Sequence, residues 1–224
     1  MGRSAAEQIR VFYEVLLDRY GPQHWWPAHT PFEVIVGAVL TQNTNWGNVE
    51  RAIERLRQAD ALTPAAIDAM APADLAERIR SAGYFNVKAR RLKALVAWLV
   101  RDYDGDVERM RRVEPAAMRR QLLTVHGVGR ETADSILLYA LGHARFVVDA
   151  YTFRVAARHG LIDPFDSGGY DELQAVFEDR LGADAALFNE YHALLVRVGK
   201  EQCRPRARCA GCPLEEFPHD AEAV

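Results

Sequence analysis

Apolar residues recur every three to four positions along almost the whole chain, and no run alternates with a period of two for long enough to make a sheet. Such spacing gives each helix one apolar stripe, and the stripes must be buried against one another. Ile9, Phe12, Leu16 and Leu17 line one face of a first helix that stops at Gly21-Pro22. Thr30-Pro31-Phe-Glu33 reads as a helix start, with Thr as cap, Pro at the first helical position and Glu three after the cap. The helix that follows, to Leu40, is almost wholly apolar, which predicts burial at the centre of the fold. Further helices are predicted over 49–56, 64–70, 74–79, 89–100, 115–125, 131–141, 150–158, 170–181 and 185–199. The fold class is therefore all-α, with roughly ten helices and short connections.

A chain of 224 residues holds one large domain or two small ones. The best candidate break lies at Gly142-His-Ala-Arg145. With 49% hydrophobic residues, 15 Gly and 10 Pro, the composition excludes disordered and collagen-like chains. The longest apolar runs, 34–40 and 136–141, fall far short of the ~20 residues that span a bilayer, and Met1-Gly-Arg-Ser-Ala-Ala-Glu7 carries no apolar signal core. These features predict a soluble, cytoplasmic protein with no membrane partner.

The formal charge of −3 does not exclude a nucleic-acid partner, because a binding face needs only local positive charge. Lys88, Arg90, Arg91, Lys93, Arg109, Arg111, Arg112, Arg119, Arg120 and Arg130 form one basic region, and Lys200, Arg204, Arg206 and Arg208 a second. Solvated helix faces would account for the same residues. All three cysteines, Cys203, Cys209 and Cys212, fall at the C-terminal end, a poor disulfide framework and a better metal signature.

Two segments carry candidate chemistry. In Leu122-Leu-Thr-Val-His-Gly-Val-Gly-Arg-Glu-Thr-Ala133 a helix ends at Val125, the hairpin His126-Gly127-Val128-Gly129 turns the chain, and a new helix begins near Arg130. Two glycines there permit positive φ and close approach of the backbone to another molecule. Outward N–H groups at the helix start would suit a phosphate oxygen, with Arg130 beside them. A plain tight turn between helices is the other reading. Further on, Phe146-Val-Val-Asp149-Ala-Tyr-Thr-Phe-Arg154 sets a carboxylate after three apolar residues and before a helix. Asp is a favoured N-cap, and a cap also holds a carboxylate oriented and partly buried, as a general base or electrostatic stabiliser requires.

Together these segments resemble the helix–hairpin–helix DNA glycosylases of the endonuclease III superfamily, over nearly the whole chain. Leu40-Thr-Gln-Asn-Thr44 is similar to that family's early glutamine motif, Gly83-Tyr-Phe-Asn-Val-Lys-Ala89 to its glycine-aromatic-Asn-x-Lys-Ala segment, and Gly199-Lys-Glu-Gln-Cys203 to the opening of its iron–sulfur loop. The resemblance implies a two-lobed helical fold with a DNA-binding cleft between the lobes. A helical bundle over 30–142 would contain the hairpin, and 1–29 plus 143–224 would form the second domain with the cysteine loop. It also implies a monomer acting on double-stranded DNA that contains a damaged base.

By the same resemblance Asp149 stabilises the charge that develops on the deoxyribose and helps direct water to C1′. His126, Gly127, Val128, Gly129 and Arg130 hold the DNA backbone, and Gln42 enters the gap left by the extruded nucleotide. Bifunctional members carry a lysine directly after the basic residue that follows the hairpin. Here that place is Glu131, which cannot form an imine, so a monofunctional glycosylase without Schiff-base lyase activity is expected. Trp25, Trp26 and Trp46 are expected to stack a flipped base, although core packing would explain any one of them.

His-Trp-Trp-Pro27 and Gly129-Arg-Glu-Thr-Ala-Asp134 resemble the 3-methyladenine branch, which implies an alkylated purine as substrate and Lys200 as a pocket lysine beside Glu131. An exposed lysine just after a helix is the alternative for Lys200. Other function classes stay open: a glycosylase for oxidised pyrimidines or mismatched bases, and a catalytically silent DNA-binding protein. The spacing Cys203-x5-Cys209-x2-Cys212 departs from the family's four-cysteine [4Fe–4S] loop, with His219 and Asp220 the nearest further ligands. A cluster with a non-Cys fourth ligand, a zinc site, or no metal remain as readings.

Overall fold

The computed structural model describes residues 5–162 and 169–224. Every regular element among the described residues is helical. In chain order these are α1 (Ala5–Tyr20), α2 (Pro31–Leu40), α3 (Trp46–Gln58), α4 (Pro64–Ala69), α5 (Pro72–Arg78), a 3-10 turn (Arg80–Ala82), α6 (Phe85–Tyr103), α7 (Val107–Arg111) and α8 (Pro115–Thr124). Then come α9 (Arg130–Ser135), which runs on into a π-helical turn (Ile136–Ala140), and α10 (Ala150–Arg158), α11 (Gly169–Leu181) and α12 (Ala185–Glu201). No helix among the described residues is long and apolar enough to cross a membrane. The chain divides into two compact units, Trp26–His143 and a discontinuous one made of Met1–Trp25 with Ala144–Val224.

Local chemistry sets the helix starts. Proline opens α2, α4, α5 and α8, where its fixed φ suits the first turn and its missing N–H costs nothing. Thr30 Oγ1 accepts from Glu33 N at 3.2 Å, and Asn45 Oδ1 accepts from Asn48 N at 3.1 Å. The Asn45 cap starts α3 at Trp46, earlier than its apolar spacing indicates. The sequence pattern misses α7, whose five residues are too few for a periodic signal; its start is capped by Asp106.

In the Trp26–His143 unit, every residue of α2 from Phe32 to Leu40 is buried. This helix packs against the π-helical turn, α3 and α6. Its one charge, Glu33, is met by Arg57 at 2.8 Å. Each fully buried aliphatic side chain contributes about 1.5–3 kcal/mol, so a helix buried on all sides anchors the unit around it. The discontinuous unit has its own core: α1 packs on α11 and α12, and α10 on α12. Phe146 stacks on Phe177 at 4.3 Å between centroids, and Tyr191 donates its hydroxyl to Ile9 O at 2.7 Å, bringing distant parts of the chain together.

Asp134 on α9 is 0% exposed and accepts two hydrogen bonds from Arg119 of α8, from Nε at 2.7 Å and Nη2 at 3.0 Å. This bidentate pair fixes the angle between the two helices that flank the hairpin. Breaking a buried pair leaves one charge uncompensated, so Asp134→Ala is expected to cost roughly 3–5 kcal/mol in urea unfolding. A loss below about 1 kcal/mol would show that the pair is not needed to hold the hairpin.

Candidate functional site

The hairpin between α8 and α9 is closed by Val128 N donating to Val125 O at 3.1 Å. Gly127 has φ +84°, and a Cβ there would lie 2.2 Å from Arg91 Cγ, so both backbone and packing demand glycine. Gly129 differs from the expectation: its backbone is extended (φ −92°, ψ −179°), and nothing lies within 4 Å of the place a Cβ would take. It starts α9 with no side-chain cap. His126, Gly129, Arg130 and Glu131 are exposed, whereas Val128 is a core residue that can offer a ligand only its backbone.

Gln42 sits against this hairpin. Its Nε2 donates to Thr132 Oγ1 at 2.9 Å and to Gly127 O at 3.3 Å, and its Oε1 accepts from Arg91 Nη1. One turn earlier on α6, Lys88 is 2% exposed and donates Nζ to Leu40 O at 2.8 Å and Ala82 O at 2.7 Å. The basic region is thus not one DNA-facing surface. Lys88 is a buried tie, Lys93 donates to Ile67 O and Asp68 O, and Arg109, Arg111 and Arg119 are paired with carboxylates. Arg90, Arg112, Arg120 and Arg130 are exposed. The Ala82 tie leads directly to Tyr84, which is left-handed (φ +46°) and 71% exposed. The helical period does not single out this exposed ring.

Of the three predicted stacking residues, the structure brings two together. Trp26 and Trp46 meet edge to face at 5.1 Å, and Tyr139 also lies 5.1 Å from Trp26. Gly37 of α2 leaves room for the Trp26 ring, since a Cβ there would be 3.0 Å from it. Trp46 Nε1 donates to Glu50 at 2.6 Å. Trp25 belongs to the discontinuous unit. Tyr139 escapes the sequence pattern because it sits in the π-helical turn, whose hydrogen bond from Leu141 N to Ile136 O shifts the helical register.

In the discontinuous unit Asp149 caps α10. Its Oδ1 accepts from Tyr151 N (3.0 Å), Thr152 N (2.8 Å) and Thr152 Oγ1 (3.0 Å). Oδ2 faces His192 Nε2 of α12 at 3.6 Å, and the side chain is 13% exposed. One oxygen is therefore taken up by the helix cap, and the other faces His192. Burial pushes the Asp149 carboxyl up, but the contact with His192 and its charge, with the Thr152 N–H and hydroxyl, outweigh it, and the net shift is downward. His192 has no signal in sequence: it is one polar residue inside a buried run of α12. Gly199 is dictated by Tyr151, whose ring would stand 2.5 Å from a Cβ. Lys200 is exposed, with Nζ 6.0 Å from the centre of the Tyr151 ring.

Cys203, Cys209 and Cys212 line one cavity with His159 and His219, while Asp220 lies outside it. The nearly buried Arg158 organises the loop, donating to Arg204 O at 2.7 Å, Pro205 O at 2.8 Å and Val224 O at 3.0 Å, with Nη1 3.4 Å from Cys203 Sγ. The sequence has no fourth cysteine, and among the described residues no group of three or more His, Cys, Asp or Glu side chains stands close enough to hold a metal ion. The residues as placed do not fit an iron–sulfur cluster.

The family model described as HhH-GPD superfamily base excision DNA repair protein matches residues 36–180. A putative DNA repair glycosylase of Methanocaldococcus jannaschii is 47% identical over 219 residues, 97% of this chain and 98% of that protein. Among solved structures, a 3-methyladenine DNA glycosylase of H. pylori bound to 1,N6-ethenoadenine is 30% identical with a TM-score of 0.74, covering 89% of this chain and 98% of that one. A non-covalent endonuclease III–DNA complex is 25% identical with a TM-score of 0.81, covering 97% and 96%.

Asp149 and Lys88 give opposite pH signatures. Asp149 is depressed, so its contribution to stability is present above 3.8 and lost as pH falls through the folded value. His192→Gln is expected to raise the Asp149 carboxyl titration read by NMR and to start acid unfolding at higher pH. An unmoved titration would remove His192 from this role. Burial, and then Arg91, lower Lys88 to about 8 from 10.5, so between those values the unfolded chain binds more protons than the folded one. Stability measured against Lys88→Met should rise by roughly 1–3 kcal/mol from about pH 7 to 10. A flat difference would contradict a buried ammonium.

Proposed function

The chain belongs to the HhH-GPD superfamily of base excision DNA repair proteins, and on that footing we propose that it is a monofunctional glycosylase that hydrolyses the N-glycosidic bond of a flipped alkylated purine of the 3-methyladenine kind. The observation that carries this reading is the Asp149 carboxylate, held ionised and fixed through Oδ1, with Oδ2 outside the cap and facing His192. As the base leaves, positive charge grows on the sugar. A carboxylate that is already oriented stabilises that charge without reorganising, which favours the transition state over the ground state. Its Oδ2 can also accept a proton from the attacking water.

The nucleophile follows from Glu131, which stands exposed directly after Arg130 and cannot form an imine. The Trp26–Trp46–Tyr139 cluster supports an aromatic platform for an electron-poor ring, with indole faces favouring a cationic one. An alkylated purine is such a ring and leaves readily, so little acid catalysis at the base is required. The H. pylori relative, a 3-methyladenine DNA glycosylase by name, supports the same substrate class. Trp25, Lys200 and Glu131 are proposed as further pocket residues. The hairpin from His126 to Arg130 is proposed to hold the DNA backbone, and Gln42 to enter the gap left by the flipped nucleotide, offsetting part of the few kcal/mol that extrusion costs.

The wild-type protein is expected to release 3-methyladenine from methylated duplex DNA and to give no borohydride-trapped adduct with an abasic duplex. Asp149→Asn should lower release by about 100-fold or more while lesion binding persists. Release of oxidised pyrimidines with no release of alkylated purines would overturn the substrate class. Full activity of Asp149→Asn would overturn the mechanism, and efficient trapping through a protein amine would overturn the assignment of water as nucleophile.

A further inference from the structure

Arg91 has no role in base excision as proposed, yet it joins two segments assigned to the same duplex. Its guanidinium donates to Gln42 Oε1, and its aliphatic stem lies over Gly127 closely enough that a single added carbon would collide with it. Gln42 completes the connection by donating from Nε2 to Gly127 O and to Thr132 Oγ1 at the start of α9. Both ends of the Gln42 amide are therefore engaged, one by a cation from α6 and the other by the hairpin and its following helix. A glutamine has considerable rotamer freedom, and it would sample many directions at the end of a short loop unless its amide were held.

Resting on the proposal that Gln42 and the hairpin contact the same DNA, we propose that Arg91 is a positioning residue. It sets the Gln42 amide and the phosphate-binding hairpin at a fixed separation before DNA arrives. The ordering cost of the wedge is then met in the free protein and not on binding. The guanidinium suits this task because it stays charged, is planar, and can hold an amide oxygen while its stem packs on the turn. Arg91 thus acts through Gln42 and not by contacting phosphate, which separates it from the exposed arginines of the same region.

The test is a double-mutant cycle on the full chain, with binding to a duplex carrying a stable abasic-site analogue and to the same duplex undamaged. Arg91→Met keeps the stem that packs on Gly127 and removes the guanidinium; thermal unfolding of each variant reports on the fold. Arg91→Met is expected to weaken abasic-duplex binding about fivefold to tenfold, the scale of one side chain left to be ordered on binding, with a smaller effect on the undamaged duplex. In the Gln42→Ala background the same change should fall to within about twofold. In the free protein, Arg91→Met should also speed exchange of the Gln42 side-chain amide protons.

An undiminished effect in the Gln42→Ala background, with the slope of log affinity against log salt reduced by about one, would make Arg91 a phosphate contact and overturn the proposal. Unchanged Gln42 amide exchange would overturn it as well. The cycle reads binding and not base release, so failure here and failure of the excision assay can be told apart.

Discussion

The Trp26–His143 unit depends on two cations one turn apart on α6. Lys88 carries the end of α2 and the Ala82 turn on a single ammonium, and Arg91 carries Gln42 and the hairpin. Residues three apart on a helix share a face, so one edge of α6 holds three loops that differ widely in sequence position. A buried ammonium is costly unless its donors are met, and the two carbonyls satisfy two of its three. What looks in sequence like one stripe of DNA-binding charge includes internal ties at Lys88, Arg91 and Arg119, while most of its arginines are exposed.

In the discontinuous unit a single carboxylate serves two ends. The three donors around Asp149 Oδ1 come from the first turn of α10 and would be present in any well-capped helix. They also immobilise the group and help keep it ionised in a nearly buried place, where it would otherwise take up a proton. His192 adds to this from a different helix, facing the oxygen that the cap does not use. Capping and the electrostatic role proposed for this residue are compatible with one geometry, because the cap engages Oδ1 and His192 faces Oδ2.

The helices were legible because apolar spacing and capping are local. Thr30 before Pro31, Asp149 before Ala150 and Asp184 before Ala185 each announce a start, and each is a cap in the structure. The failures share a cause. Tyr139 is displaced by a π turn that breaks the 3.6 period, and His192 meets Asp149 across many intervening residues. Gly129 looks like a second positive-φ glycine because composition does not report dihedral angles, and it proves extended. The three cysteines line one cavity, with the loop around them held by the Arg158 guanidinium.

By itself the sequence determined the longer helices and their order, a glycine-bearing turn before Arg130, the carboxylate at a helix start, and the absence of an amine at position 131. These depend on side-chain size, backbone preference and chemical identity, which each residue carries wherever it lies. Tertiary structure alone decided which charges are buried and which face outward, that glycine is required at 127, which oxygen of Asp149 faces His192, which aromatics meet, and that Arg91 joins Gln42 to the hairpin. Each of these is a contact between residues far apart in the chain, and burial and distance come into being only when the helices pack.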